Sequence, residues 1–140
     1  MNKTGLNVII FALAIGLSAI PFPVLSDNSP AAQPEKGQVI FYRPGRAKGA
    51  AIRFEIQDSS KGSIGTLSNG TVIRKDLEPG HYTFSVRAPS VDGSDSITIN
   101  VEPGKAYYVK GEILWGWPAG RPKFTRMSDT HAQADLAKMN

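Results

Sequence analysis

No cysteine occurs among the 140 residues. That absence excludes disulfides, a thiol nucleophile and thiolate metal sites, and it removes the lipid-bearing cysteine of a bacterial lipoprotein. Histidine is nearly missing as well. His81 and His131 are the two present, neither lies at useful spacing from another metal ligand, and a zinc site needs three or four converging ligands. No G-x-S-x-G elbow occurs, and Ser59, Ser60, Ser68 and Ser94 fall in turn-like stretches. A phosphate-cradling loop is absent too: Gly45, Gly49 and Gly62 are dispersed and none opens a helix. Nor is there a large excess of one charge. The chain has 16 basic and 12 acidic residues, a net charge of +4. Lys3 is the one charge ahead of Asp27, so the remaining 15 basic residues are scattered among acids. A nucleic-acid binder would gather them into a stripe, so no nucleic-acid partner is expected, nor any catalytic, cofactor or metal residue.

What is present begins with an address. A basic start, the uncharged apolar block Val8–Ile20 and then PFPVLS, with Val24 and Ser26 in the small-residue positions, form the layout of a secretory signal. Cleavage is expected after Ser26, giving a signal peptide over 1–26 and a periplasmic or secreted protein. The alternative is an uncleaved anchor, since the uncharged stretch Thr4–Ser26 is long enough to span a bilayer, which needs ~20 predominantly apolar residues; Pro21 and Pro23 oppose it by interrupting the helix. Membrane contact is expected only through this segment, if it is retained. Residues 27–36, with two prolines and little to bury, read as a flexible tether.

From Gln38 the pattern turns to period two. Ile52, Phe54 and Ile56 alternate with Arg53, Glu55 and Gln57. Tyr82, Phe84, Val86 and Ala88 alternate with polar neighbours, as do Ile97, Ile99 and Val101. Such alternation marks strands buried on one face. QVIFYRP and the start of KAYYVKGEILW are apolar on both sides, which suits strands near the middle of a sheet. Asn69-Gly70 predicts a two-residue hairpin pairing SIGTL with TVIRK. Glu-Pro-Gly occurs at 78–80 and again at 102–104, and each predicts a type II turn feeding a strand. Ser128 reads as the N-cap of a short closing helix with Ala132, Leu136 and Met139 on one face, packed on an edge or end of the fold. The fold class is therefore all-β: a small antiparallel β-sandwich of about seven or eight strands with one short C-terminal helix, filling residues 37–140.

The order VIFYRPGRAKGA, GTLSNGTV, LEPGHYTF, VEPGKAYYVKGE, a GW-containing stretch and a short helical tail resembles the bacterial family called domain of unknown function 2846. The Tyr-Arg-Pro start and the Gly-Lys-x-Tyr-Tyr run carry most of that resemblance. It implies a β-rich exported domain, many members being small lipoproteins, and it supplies no functional residue. The missing lipid-bearing cysteine departs from it.

Two stretches are candidates for binding. LWGWPAG places Trp115 and Trp117 around Gly116, able to stack on a sugar, to enter a membrane interface, or to plug and cover the end of the sandwich. RPGRAKG and RPKFTR, read as two loops, supply Arg43, Arg46, Lys48, Arg121, Lys123 and Arg126, which would form a cationic rim if the loops meet and would otherwise be ordinary solvated surface. The function expected is a non-catalytic cell-envelope module, not an enzyme, whose partner is an envelope protein or an anionic envelope polymer. The alternative is a small hydrolase acting on cell-wall material, for which Glu55 and Glu112 would have to share a sheet face.

Overall fold

A computed structural model describes residues 35–117 and 119–139. The expected signal over 1–26 and nearly all of the tether lie outside the described residues. Eight strands and one helix follow: β1 (Gly37–Arg43), β2 (Phe54–Asp58), β3 (Gly62–Leu67), β4 (Thr71–Leu77), β5 (Gly80–Arg87), β6 (Ser94–Val101), β7 (Ala106–Leu114), β8 (Arg121–Met127) and α1 (Asp129–Ala137). They form two four-stranded sheets, ordered β4-β1-β7-β8 and β3-β2-β5-β6, packed as a sandwich. Every pairing is antiparallel except β1 with β7, which is parallel. No hairpin joins those two strands. Residues 44–105 intervene, so no tight turn imposes the antiparallel sense.

The period-two pattern becomes the core. Val39, Phe41, Phe54, Ile56, Phe84, Val86, Ile99, Val101, Val109 and Phe124 meet between the sheets. Phe41 packs edge-on against Phe84 with ring centroids 5.0 Å apart, a favoured aromatic geometry. Gly111 of β7 makes room here: a Cβ at that position would lie 3.1 Å from the Phe54 ring. The two strands that read as apolar on both sides, β1 and β7, are central in their sheet. Their second faces, Ile40, Tyr42 and Tyr108, are covered by Ala132 and Leu136 of α1 and by Met139 just beyond it. The helix therefore lies on the outer face of the first sheet and not on an edge or end. The unmatched apolar face of β1 and β7 decides that placement, since leaving it in water would forfeit its burial. Ser128 occupies the N-cap position but makes no capping bond; its Oγ lies 2.9 Å from His131 Nδ1 instead.

The turns divide into two kinds. Three connect strands within a sheet: β2–β3, β5–β6 and β7–β8. The Asn-Gly turn and both Glu-Pro-Gly turns carry the chain from one sheet to the other. The expected pairing of SIGTL with TVIRK is thus overturned. β3 bonds β2, while β4 pairs with β1 over seven residues, Gly37↔Leu77 to Arg43↔Thr71. The turn itself forms, with Gly70 at φ 71° and Thr71 N–H donating to Ser68 C=O at 3.3 Å. A turn motif specifies the reversal, but not that the arms must stay in one sheet.

The two Glu-Pro-Gly turns also differ. Lys105 N–H donates to Glu102 C=O at 3.3 Å, with Gly104 at φ 67°, as a type II turn requires. Gly80, at φ 157°, is already the first residue of β5 and does not match that turn. The tyrosines that follow hold each crossing. Tyr82 Oη donates to Glu78 C=O at 2.9 Å, and Glu102 N–H donates to Tyr107 Oη at 3.0 Å. Each ring is buried in the core while its hydroxyl satisfies a backbone group at the rim. The last tether residue is fastened too, with Gly104 N–H donating to Lys36 C=O at 3.2 Å.

Candidate functional site

β1 ends at Arg43, and the chain then leaves the sheet for a loop over residues 44–53. Arg43 itself does not join a cationic rim. It is 4 % exposed, its guanidinium lies 4.5 Å from the Phe54 ring centroid, and it donates to the carbonyl oxygens of Gly49, at 2.7 Å, and Ile52. Burial lowers its pKa, but an arginine in a protein keeps its charge. Its fixed fork of donors anchors the loop from beneath.

The anchored loop meets the start of the β7–β8 connection. Arg43, Pro44, Arg46 and Lys48 line one side of a cleft of about 200 Å³; Glu112, Ile113, Leu114 and Trp115 line the other. Lys48 Nζ sits 4.3 Å from the Trp115 ring centroid, a cation–π arrangement. Arg46 lies 3.6 Å from Glu112 Oε1, and its N–H donates to Asn69 Oδ1 at 2.9 Å. The Asn-Gly turn thereby braces the loop.

Glu112 also lies 3.3 Å from Lys110, which reaches Asp135 at 3.0 Å. Tyr42 Oη donates to the same Asp135 oxygen at 3.1 Å. The hydrogen bond from Lys110 holds Asp135 below the usual aspartate range. Burial pulls Lys110 down, yet its bonds to Asp135 and Glu112 outweigh that and leave its pKa raised. Burial first, and the neighbouring Asp135 second, push the Tyr42 hydroxyl well up. This chain of charges ties the cleft to α1.

The other expected residues do not all converge. RPKFTR is not a loop but most of β8, held by its pairing with β7; Arg121 stands opposite Leu114 at its start and packs its stem along Gly93. Lys123 is drawn to Asp95 at 3.4 Å, whose Oδ2 also accepts the Phe124 N–H at 2.9 Å. Arg126 lies 5.2 Å over the Tyr107 ring and opposite Val109, ~17 Å along the strand from Arg121 at the usual rise. The six cations are therefore not one rim: Arg46 and Lys48 line the cleft, Arg43 supports it from inside, Arg121 begins β8 opposite Leu114, Lys123 stands opposite the cleft's Glu112 but reaches Asp95, and Arg126 lies farther along β8. Trp115 is half-packed at 48 % exposure, whereas Trp117 covers nothing, being 95 % exposed. Glu55 and Glu112 do not share a face. They lie in opposite sheets, Glu55 paired with Arg87 at 2.9 Å.

Glu112 as a cleft residue, the Lys110–Asp135–Tyr42 chain and exposed Leu114 were missed from sequence. The available signal was Lys110 with Glu112 on a strand that starts AYYV, because a largely buried ammonium requires a carboxylate partner. Among the described residues, no group of three or more His, Asp and Glu side chains could hold a metal ion, and no helix is long and apolar enough to cross a membrane. No family model matches the chain, and no curated protein or solved structure matches it.

Proposed function

We propose that the protein is an exported, non-catalytic cell-envelope module that binds an anionic partner at the cleft between the 44–53 loop and the β7–β8 connection. One observation carries the reading: Arg46 and Lys48 are held at the mouth of a small cleft on a loop clamped from below by buried Arg43. A cationic pair on a braced loop loses little further entropy on binding. The Arg46–Glu112 contact, largely in solvent, holds Arg46 only weakly, by about 0–1 kcal/mol, so an external anion can displace it. A cleft of about 200 Å³ is below the roughly 300 Å³ of ordinary small-molecule pockets and suits one anionic group better than a long ligand. Export is supported by the layout of residues 1–26. Membership of the domain of unknown function 2846 stays part of this proposal. Its Tyr-Arg-Pro motif contains the loop anchor Arg43, and its Gly-Lys-x-Tyr-Tyr run contains Tyr107 and Tyr108, one in the core and one under α1.

The test is retention of envelope material by the purified protein at physiological salt, with Arg46→Glu and Lys48→Glu as controls. Retention lost in both variants supports the proposal. A wild-type protein that retains no envelope component overturns it. Cell fractionation with N-terminal sequencing checks the address: recovery of the intact chain in the cytoplasm sinks the exported reading.

A further inference from the structure

The β7–β8 connection ends in an apolar tip. Leu114 is 55 % exposed, Trp115 48 % and Trp117 95 %. Single exposed apolar residues are ordinary, but three within four positions, at the end of β7 and just after it, mark an interaction surface. The tip has a firm base. Added Cβ atoms at Gly49 and Gly120 would each fall 3.1 Å from Trp115 ring atoms, so the indole is wedged between the 44–53 loop and its own turn. Cations surround that base: Lys48 on the Trp115 face, Arg46 across the cleft and Arg121 opposite Leu114. Among the described residues no carboxylate lies within 4.0 Å of Lys48 or Arg121. The cleft's Glu112 is offset by Lys110.

We infer that this tip is a membrane-docking element: Trp117 and Leu114 enter the interfacial layer of an anionic lipid surface, while Arg46, Lys48 and Arg121 engage its headgroups. The inference rests on the reading of this end as the binding end, and it names the partner. Charge complementarity favours a lipid surface. A ring of cations behind an aromatic tip matches a layer whose charge lies outside and whose apolar part lies beneath, and tryptophan favours that boundary. A sugar site is a poorer match. The Trp115 face is already occupied by Lys48, and Trp117 projects into solvent without a facing wall. Contact at this tip is separate from any contact made by the N-terminal segment.

Both tryptophans of the protein lie in this tip, so intrinsic tryptophan emission reports on it alone, even though the apolar N-terminal segment of the full chain can itself enter vesicles. The full chain is titrated with vesicles of phosphatidylglycerol and phosphatidylcholine, with vesicles of phosphatidylcholine only, and with dextran sulfate as a soluble polyanion. The expected result is a blue shift and a several-fold drop in acrylamide quenching on the anionic vesicles alone. Both effects should diminish in Trp117→Ala, read through Trp115, and in the double variant Lys48→Glu/Arg121→Glu. Emission that is unchanged on anionic vesicles, or equally changed on phosphatidylcholine, overturns the inference. If dextran sulfate alone alters the emission, the membrane proposal falls while anion binding at this end stands. If neither vesicles nor polymer has any effect, both fall.

Discussion

Arg43 is the residue whose environment departs furthest from its composition. A cation at the end of an apolar strand is ordinarily solvated surface, yet here the guanidinium lies over Phe54 and bonds two loop carbonyls. Arg43→Met would leave the oxygens of Gly49 and Ile52 without this donor. The expected loss is about 2–3 kcal/mol of stability in urea denaturation, with Arg43→Lys in between because one ammonium cannot reproduce the fork. Equal stability of Arg43→Met and wild type would contradict the anchoring role. Arg46 is the contrasting case. Its side chain is 69 % exposed and its ion pair long, so Arg46→Glu should change stability by no more than about 0.5 kcal/mol while abolishing retention of the partner. Adjacent charges in one motif thus have opposite roles, and only burial separates them.

At the scale of elements, two contacts join parts that the chain order keeps apart. The first is Asp95 of β6, which accepts the Phe124 N–H of β8 and draws in Lys123, joining the edges of the two sheets. Asp95→Ala leaves that N–H without its acceptor. The expected cost is about 1–3 kcal/mol, together with a larger dimer fraction on size-exclusion chromatography, because an unguarded edge strand recruits another. The second is the seat of α1. Asp135 is held low by Lys110, so its contribution to folding is present above the usual aspartate range and lost as pH falls through the lowered pKa. Asp135→Asn should therefore be less stable at neutral pH, by about 1–2 kcal/mol, and should lose less on acidification than the wild type. Parallel melting curves for the two proteins across that pH range would show that Asp135 is not the titrating group. The period-two runs and the apolar face of the tail were legible in the sequence. The docking position of α1 was not, because it depends on which sheet presents a second apolar face, and that follows from the strand order.

For the whole molecule, the charge is mild in total, but Arg46 and Lys48 share one cleft and Arg121 begins the strand opposite its Leu114. Association with an anionic surface should therefore be steeply salt-dependent, falling several-fold as the screening length shrinks from ~30 Å at 0.01 M to ~10 Å at 0.1 M. Vesicle co-sedimentation at a series of salt concentrations measures this, and a flat profile would argue against an electrostatic partner. Of the eight residues singled out for binding, Arg46, Lys48 and Trp115 line one cleft, Trp117 follows in the β7–β8 connection, Arg121 begins β8 opposite Leu114, Arg43 lies inside, Lys123 is drawn to Asp95 and Arg126 to the Tyr107 ring. Type and spacing named the candidates, but could not separate a guanidinium that bonds the protein's own carbonyls from one left free to meet a ligand.

While β8, whose RPKFTR reads as a loop, became a strand only through its pairing with β7, the sequence by itself determined the strand character of the period-two runs, the positions of the reversals and the presence of a closing helix. These are local properties: side chains alternate about an extended backbone, and proline and glycine select turn geometry over a few residues. The tertiary structure alone decided that Asn69-Gly70 and the two Glu-Pro-Gly units cross between sheets, that β1 runs parallel to β7, and that the Arg46 loop meets the Trp115 turn. Those outcomes depend on which backbone edge is open and which apolar face is still uncovered, and only residues distant in the chain settle either.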